Sequence, residues 1–372
     1  MVKKVGIVTF FTNMNYGSSL QAFAMKSYLN QIGVDANIID YTDMSNSVNV
    51  KMKKRTYINR LLTGIKHPTV IPEMLKGKRV AINSINRDEN VREIFDSFNK
   101  KYLGIYNGDY SIFDLFITGS DQVWKLTAPG LHEIFFLRFA EKDKRVSYAA
   151  SVGTNSIPEY NKKRFGRYIS EFKAVSVRED DAQLMINKAY GVSVTHVLDP
   201  VLLVGEEFWI KQIKNFSVKD EEYLFCYFLD DFSNKVNLIK RISKELDCRI
   251  LIIKSDTSIP DELKIEAECL QPTPLEFVSL LYNSKGVITD SFHGTAFAIL
   301  FKKLFWTVPR NYLVYSGQKS RLESVLRIVD LVDRYIIGEN PDINYSINVD
   351  KIDERLEEKR RVSEAYLQNA IS

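Results

Sequence analysis

Short apolar runs alternate with helical patterns along most of the chain, which predicts an α/β fold. Residues 5–10 form a continuous apolar run, typical of a buried parallel strand. Apolar positions then recur at helical spacing as far as Leu29, and Gly33 ends the predicted helix. A second strand is predicted over 36–41. Strand, helix and strand make a βαβ unit with a right-handed crossover.

The same alternation resumes further along and predicts two Rossmann-like domains. The remaining predicted strands cover 113–118, 145–150, 174–177, 194–198, 223–228, 250–253, 286–289 and 304–308. Further helices are predicted over 236–246, 274–282 and 291–301. We therefore expect a first domain over 1–204, a second over 205–348, and a helix over 349–372 that packs back on the first domain.

The interval from about 43 to 108 interrupts this alternation. It is polar, basic and helix-leaning, and we predict a variable insertion. Its richest basic stretch carries Lys51, Lys53, Lys54, Arg55 and Arg60. That stretch predicts a solvated face or a contact with an anionic membrane surface or acceptor.

Composition argues against several classes of protein. The 372 residues include 51 basic and 47 acidic side chains, so the chain lacks the basic excess typical of nucleic-acid binding. No apolar run reaches membrane-spanning length and no signal-peptide pattern is present, so we expect a cytoplasmic protein. Three cysteines fit no metal-ligand spacing, and we expect no metal. No G-x-G-x-x-G follows the first strand, which argues against a dinucleotide enzyme.

Polar residues follow the predicted strands, where the carboxyl ends of parallel strands collect ligands. In the first half the candidate binding and catalytic residues are Asn15, Tyr16, Gly17, Ser120, Asp121, Arg178 and Glu179. In the second half they are Ser291, His293, Gly294, Thr295 and Arg310. Small residues, basic groups and carboxylates together suit an anionic substrate.

The most informative candidate segment is Thr-Asp-Ser-Phe-His-Gly-Thr at 289–295, where a predicted apolar strand passes directly into a predicted helix. Asp290 or Ser291 is expected to cap that helix. His293 then falls in the first turn, beside backbone N–H groups that favour anions. A histidine in this position can serve as a general acid near neutral pH, and a capping or packing role is the alternative.

Three further residues each have two interpretations. Arg178 offers a planar fork for a carboxylate or phosphate, or it pairs with Glu179 or Asp180. Gly17 either lets the backbone of a strand-to-helix loop approach a ligand closely or is needed only for the conformation of the turn. Asp121 is a base or a helix cap.

Six segments, in this order, resemble the polysaccharide pyruvyl transferase family: residues 15–22, 118–124, 147–151, 176–180, 198–200 and 289–295. The similarity spans roughly residues 3–335, apart from the divergent insertion. It implies a GT-B-like pair of Rossmann-like domains with an active-site cleft between them. It also implies phosphoenolpyruvate as the donor and a cyclic pyruvate ketal on a sugar as the product.

The resemblance also implies roles for particular residues. In the family, a histidine in the second domain and arginines around it bind or activate the donor, and His293 and Arg178 match these positions. Several members carry Arg-Leu-His where this chain has Ser-Phe-His at 291–293, so one arginine is absent. The residues that would supply the missing charge are Arg310, Lys319 or Arg321.

On this basis we expect a transferase that moves pyruvate from phosphoenolpyruvate to a sugar of a cell-surface polysaccharide or its lipid-linked precursor. His293 is the expected acid, Asp121 or Glu179 the expected base, and the expected donor-binding cations are Arg178 with Arg310 or Arg321. Phosphoenolpyruvate is a co-substrate, no cofactor is needed, and peripheral contact with the inner membrane face is expected. A GT-B-type glycosyltransferase using a nucleotide-sugar, and a non-catalytic sugar- or anion-binding protein, stay open as alternatives.

Overall fold

Apolar runs that are buried on both faces form two parallel sheets, one in each half of the chain. The structure is a computed structural model that describes residues 2–72, 74, 89–216, 221–255, 257–310, 317–338 and 341–372. The chain divides into two compact units. The first is Met1–Pro200 with Val362–Ser372, and the second is Val201–Arg361.

The sheet of the first unit has the strand order β3-β2-β1-β4-β5, with every pair parallel. Its strands are β1 (Lys4–Val8), β2 (Asp35–Ile39), β3 (Ile105–Tyr106), β4 (Leu115–Thr118) and β5 (Arg145–Ser147). In the central register, Val5 lies opposite Ala36 of β2 and Leu115 of β4. A parallel pair of strands, β6 (Val175–Val177) and β7 (Val194–His196), continues from β5 through single bridges.

Helices cover the sheet of the first unit, and aromatic side chains fill the space beneath them. The helices are α1 (Tyr16–Gln31), α2 (Ser47–Lys66), α3 (Glu89–Phe98), α4 (Glu159–Ile169) and α5 (Asp180–Tyr190). Within the core, Trp124 stacks on Phe136 with ring centroids 5.4 Å apart, and its Nε1 donates to the carbonyl of Phe135. The segment 118–124, which begins at the last residue of β4, therefore also contributes to the core through Trp124.

The second unit repeats the order of the first, β10-β9-β8-β11-β12, again with parallel pairs. Its strands are β8 (Tyr223–Tyr227), β9 (Arg249–Ile253), β10 (Ala267–Leu270), β11 (Gly286–Thr289) and β12 (Phe305–Thr307). The short α6 (Pro200–Leu203) spans the unit boundary, and the other helices are α7 (Glu206–Ile213), α8 (Val236–Glu245), α9 (Pro274–Tyr282), α10 (Phe292–Leu300) and α11 (Gly317–Ile328).

The final helix, α12 (Val349–Ile371), contributes residues to both units. Within the first unit, Ser363 Oγ accepts from the N–H of Leu198 at 2.9 Å, and Tyr366 Oη donates to the carbonyl of Ser147 at 2.7 Å. Within the second unit, Arg360 Nε donates to the carbonyl of Leu203 at 3.2 Å. Across the described ranges, no helix combines the length and apolarity needed to cross a membrane.

The expected α/β class with two Rossmann-like parallel sheets is confirmed. Two edge strands, β3 and β10, were not predicted from the sequence. β3 has two residues and β10 is only half-buried, so neither carries the continuous apolar run that marks the central strands. The described part of the predicted insertion contains α2 and α3.

Gly130 permits a close approach between a loop and the backbone of α2, which makes it a test of packing in the first unit. Its φ is +89°, and an added Cβ would lie 2.6 Å from the backbone nitrogen of Arg60. We expect Gly130→Ala to add about 1–3 kcal/mol of overpacking to the backbone strain of about 1–2 kcal/mol. Thermal denaturation should show the loss as a lower Tm, by roughly 2–4 °C per kcal/mol.

Gly33→Ala is the matched control for this substitution. Gly33 also has a positive φ, +85°, but an added Cβ meets no described atom within 4 Å. Only the backbone strain should remain, so its Tm should fall less. Equal losses for the two variants would show that the loop at Gly130 moves aside and that the contact is not tight.

Candidate functional site

In each sheet the strand order reverses at one point, where the carboxyl ends of two adjacent strands lie side by side. The reversal lies between β1 and β4 in the first unit and between β8 and β11 in the second. Parallel α/β sheets collect ligands at such points, because the loops that follow the two strands lead away in opposite directions. The predicted site residues at 15–17, 120–121 and 291–295 follow β1, β4 and β11, three of the four strands that border these two points.

In the first unit, the loops after β1 and β4 are joined by buried side chains. Gln21 Nε2 donates to Thr9 Oγ1 at 2.9 Å, and its Oε1 accepts from the N–H of Ser120 at 3.1 Å. Thr9 Oγ1 in turn donates to the carbonyl of Ser120 at 3.1 Å. The sequence prediction did not select Thr9 or Gln21. Gln21 lies within the family-like segment 15–22, but mid-helix, where a polar residue is usually solvent-facing.

A buried ionic network lies next to this edge. Arg178 Nη1 donates to Asp199 Oδ2 at 2.9 Å, and Arg178 Nε is 3.4 Å from Glu179 Oε1. Ser120 Oγ donates to the same Asp199 oxygen at 2.8 Å. The side chains of Arg178, Glu179 and Asp199 are almost completely buried. Burial lowers the pKa of Arg178, but the nearby carboxylates, Asp199 first, outweigh it and the net shift is upward.

This network gives Arg178 the ion pair that was one of its two sequence interpretations. Its guanidinium is bonded to Asp199 and Glu179, so its role in donor binding stays a prediction. Ser120 is likewise fully buried, with its hydroxyl shared between Asp199 and the carbonyl of Ala149. Asp199 was not selected as a site residue, although it lies in the family-like segment 198–200.

Asp121 is the half-buried carboxylate at the same edge. Ser18 Oγ donates to its Oδ2 at 2.6 Å, and the N–H of Gln122 donates to its Oδ1 at 2.8 Å. Asp121 has a φ of +64°, a conformation that few residues other than glycine adopt. No helix begins at Asp121, so the helix-cap interpretation of this residue is wrong.

Asn15, Tyr16 and Gly17 form the start of α1 rather than a loop. Asn15 caps the helix, with its Oδ1 accepting from the N–H of Ser18 at 3.2 Å. Tyr16 is buried, and its ring lies 5.2 Å from that of Phe95. Gly17 sits in the first helical turn, so the prediction that it belongs to a strand-to-helix loop is wrong. The positive end of α1 nevertheless lies at the sheet edge.

In the second unit, Asp290 joins the ends of β8 and β11. Its carboxylate accepts from the backbone N–H groups of Leu229 at 2.8 Å and Asp230 at 3.1 Å. Thr289 Oγ1 donates to the carbonyl of Tyr227 at 2.6 Å across the same gap. Burial raises the pKa of Asp290, while the charge of Arg310 opposes the shift. The reversal point is therefore held together by two consecutive residues of the predicted motif.

The rest of the motif builds the first turn of α10. Ser291 is the N-cap, and its Oγ accepts from the N–H of Gly294 at 3.3 Å. Thr295 Oγ1 donates to the carbonyl of Ser291 and lies 2.9 Å from Thr307 Oγ1. An added Cβ on Gly294 would lie 2.7 Å from Thr289 Oγ1, so glycine allows α10 to pack on β11. These residues explain how the turn forms.

His293 is in the first turn of α10, where the helix dipole is positive. Its side chain is 6% exposed, and its ring lies 5.2 Å from that of Phe292 in an edge-on arrangement. Burial of this degree is compatible with both the acid and the packing interpretation. The placement in the first helical turn is as the sequence predicted.

Three basic residues were predicted to replace the absent family arginine. Arg310 follows β12, and its Nε donates to the carbonyl of Asp290 at 3.3 Å and lies 3.6 Å from its carboxylate. Arg321 is buried on α11, which packs against α10. Lys319 pairs with Glu323 on an exposed face. Among these three, Arg310 is bonded directly to the motif.

Each unit thus groups some of the predicted residues. The first joins Ser120, Arg178 and Glu179 through Asp199, and the second joins Ser291, Gly294, Thr295 and Arg310 around His293 and Asp290. Arg178 and His293 lie in different units, and their participation in one site stays a prediction. Within the part of the chain that the structure describes, no cluster of three histidine, cysteine or acidic side chains could hold a metal ion.

Comparison with solved structures identifies the fold as GT-B-like. The chain is similar to MnaA of S. aureus, solved with UDP, with a TM-score of 0.51 and 13% identity over 98% of this chain and 91% of that chain. A UDP-N-acetylglucosamine 2-epimerase from Rickettsia bellii has a TM-score of 0.47 and 12% identity over 99% of this chain and 98% of that one. At these identities the likeness concerns the fold alone.

The model of the polysaccharide pyruvyl transferase family matches residues 15–312. The chain therefore belongs to this family, as the six sequence segments indicated. The matched range contains every predicted site residue except Lys319 and Arg321. A comparison with curated proteins found no match.

The buried network predicts that Arg178 matters for stability. Arg178→Ala would leave Asp199 and Glu179 buried without their countercharge, which typically costs about 3–5 kcal/mol. We expect a large fall in Tm in thermal denaturation, while Arg167→Ala, which removes an exposed arginine of the same unit, should change it little. The double variant Arg178→Met with Asp199→Leu should recover part of the loss.

An unchanged Tm for Arg178→Ala, together with weaker donor binding, would favour the substrate-binding interpretation of this arginine. A double variant that is no more stable than Arg178→Ala would show that the network depends on more than this pair. The two measurements therefore separate a structural arginine from one that contacts the donor.

Proposed function

We propose that this protein transfers the pyruvyl group of phosphoenolpyruvate to a sugar and forms a cyclic ketal. Membership of the polysaccharide pyruvyl transferase family supports a transferase acting on a glycan. The observation that carries the proposal is His293 in the first turn of α10, at the reversal point of the second sheet, with Arg310 bonded to the adjacent Asp290.

The second unit has the electrostatics that an anionic donor needs. Phosphoenolpyruvate carries a phosphate and a carboxylate, and the first turn of α10 presents the positive end of a helix dipole. The N–H groups of Gly294 and Thr295 already donate to Ser291, so these two residues shape the turn. Arg310 adds a guanidinium whose Nε is held by the carbonyl and carboxylate of Asp290. The planar fork of an arginine suits a phosphate or a carboxylate.

In the proposed reaction, His293 donates a proton to the methylene carbon of phosphoenolpyruvate, which makes C2 electrophilic. A sugar hydroxyl forms a bond to C2, and its proton passes to a carboxylate. The bond between C2 and the phosphate oxygen then breaks, and phosphate leaves with the electron pair and with the proton that the carboxylate took from the sugar hydroxyl, which restores the carboxylate. A neighbouring hydroxyl bonds to C2 to close the ketal, and its proton restores His293.

Of the two carboxylates predicted as the base, Asp121 fits the role better. Glu179 is buried beside Arg178, whereas Asp121 is half-buried and held in place by Ser18. A base must reach the hydroxyl it deprotonates, and a carboxylate committed to a buried guanidinium cannot do so without breaking that pair. We therefore propose Asp121 as the acceptor of the first hydroxyl proton.

The proposed acceptor is a sugar of a cell-surface polysaccharide or of its lipid-linked precursor. We propose that the reaction takes place in the cytoplasm, with peripheral contact at the inner face of the membrane. No resident cofactor is part of the scheme, since phosphoenolpyruvate brings its own leaving group.

Replacing His293 tests the acid role. We expect His293→Ala to lower phosphate release from phosphoenolpyruvate by roughly 10²- to 10⁴-fold, the usual contribution of a general acid. Steady-state phosphate release should be measured with a glycan acceptor, and Tm measured alongside. His67→Ala removes a half-buried histidine outside the motif and should leave turnover unchanged.

Near-normal turnover by His293→Ala would exclude the acid role. A large fall in Tm would instead support the packing interpretation, because activity would then be lost through unfolding. If the wild-type protein releases no phosphate from phosphoenolpyruvate but turns over a nucleotide-sugar, the protein is a GT-B-type glycosyltransferase. Turnover of neither donor would favour a binding protein.

Replacing Arg310 tests donor binding separately from proton transfer. Loss of a charge-assisted hydrogen bond, worth about 1.5–3 kcal/mol, should raise KM for phosphoenolpyruvate roughly 10- to 100-fold in Arg310→Ala. The kcat should change less, since the proton donor is retained. Arg355→Ala, which removes an exposed arginine of the second unit, is the control. An unaltered KM in Arg310→Ala would remove Arg310 from the donor site.

A further inference from the structure

Helix α2 exposes six of its apolar side chains, while several of its uncharged polar side chains face inward. Ile65 is 75% exposed and Tyr57 is 60% exposed, and the remaining members of the exposed set are Val50, Ile58, Leu61 and Leu62. Residues 57, 58, 61, 62 and 65 follow helical spacing, so they form one continuous stripe along the helix. We call this set the α2 stripe.

The inward face of α2 is fixed by polar contacts. Asn49 Nδ2 donates to the carbonyls of Asp40 and Asp43, at 2.8 and 2.9 Å. Asn59 Nδ2 donates to Glu133 Oε1 at 2.8 Å, and Thr56 Oγ1 accepts from the N–H of Glu133 at 3.0 Å. Rotating the helix to bury the α2 stripe would break all of these bonds.

Two further contacts hold the same face. Thr63 Oγ1 accepts from Arg164 Nη1 at 3.1 Å, and Gly130 allows a loop to lie directly against the backbone of Arg60. The outward direction of the α2 stripe is therefore a property of how this helix is seated in the first unit. Contiguous exposed apolar surface of this kind marks an interaction site.

The charges on α2 indicate what covers the stripe. Lys51, Lys53, Lys54 and Lys66 are exposed, and the segment Ser47–Lys66 contains no aspartate or glutamate. Arg55 is 3.2 Å from Glu133, whose carboxylate belongs to the inward face. The outward face thus combines lysines, a tyrosine and aliphatic side chains, the composition of helices that lie in a membrane interface.

We propose that α2 binds the surface of an anionic phospholipid bilayer, with its axis in the plane of the membrane. The α2 stripe enters the boundary between headgroups and acyl chains, and the four exposed lysines contact lipid phosphates. A second copy of this chain fits the stripe poorly, because pairing two such helices would bring only like charges together. The inference deepens the proposed membrane contact, and binding can be measured without any activity.

Vesicle flotation with the full chain tests this inference. The probes are vesicles of phosphatidylcholine alone and vesicles with equal parts of phosphatidylcholine and phosphatidylglycerol. We expect binding to the anionic vesicles that weakens with added salt, and at least tenfold weaker binding to the neutral ones. Leu61→Gln with Ile65→Gln, and separately Lys51→Gln with Lys54→Gln, should each weaken binding at least tenfold.

Matched controls place the same changes elsewhere on the surface. Leu184→Gln with Ile265→Gln removes two exposed aliphatic side chains, and Lys163→Gln with Lys188→Gln removes two exposed lysines of the first unit. Both controls should bind as the wild type does. Since every substituted side chain is exposed, Tm should stay unchanged in all variants.

Three outcomes would overturn the inference. One is the absence of binding to anionic vesicles at low salt, and a second is binding that the α2 variants retain in full. The third is a wild-type dimer in light scattering that Leu61→Gln with Ile65→Gln converts to a monomer, which would make a second copy the occupant. Because no donor or acceptor enters these measurements, failure here leaves the proposed reaction to its own tests.

Discussion

Parallel strands can reverse their order in a sheet only by leaving a gap between the loops that follow the two central strands. Both units of this protein have that reversal, and each fills it with hydrogen bonds from a few buried side chains. In the first unit these are Thr9 and Gln21, which bond to each other and to the backbone of Ser120, and in the second they are Thr289 and Asp290. Buried polar groups need hydrogen-bond partners. The polar groups that can interact with a ligand at each edge are therefore those that this internal bonding does not use.

The two edges differ in how their charged groups are bonded. In the first unit the strongest charges neutralise one another, since Arg178, Glu179 and Asp199 form a buried network. In the second unit Asp290 takes two backbone N–H groups and holds Arg310 beside the start of α10. Breaking the first arrangement would leave buried charges unpaired. The second holds a guanidinium beside the helix N-terminus that carries His293, where we propose that the anionic donor binds.

Much of the fold followed from the sequence, because buried parallel strands are apolar without interruption and their helices carry a clear period. The same local signal placed His293 in the first turn after β11, since strand, cap and helix lie within a few residues. Arg178 was harder. Its partner Asp199 is distant in sequence, so spacing alone could not choose between an ion pair and a free donor-binding cation. The edge strands β3 and β10 are too short or too exposed to give a pattern.

The orientation of α2 could not be predicted for a related reason. A helix with an apolar stripe is normally expected to bury it, and the basic stretch between Lys51 and Arg60 predicted a solvated or anion-contacting face without indicating that apolar side chains share that face. The polar partners that turn the stripe outward, Glu133 and the carbonyls after β2, become neighbours only in the folded unit.

The energetics then suggest reversible attachment. An aliphatic or aromatic side chain gains about 1.5–3 kcal/mol on full burial, and these exposed side chains gain part of that when a membrane covers them. Each lysine near an anionic surface contributes about 1 kcal/mol more. The apolar side chains alone, or the lysines alone, would bind a membrane only marginally, as a single acyl chain does. The apolar and basic groups must therefore act together, which makes attachment depend on the charge of the membrane as well as on its apolar interior.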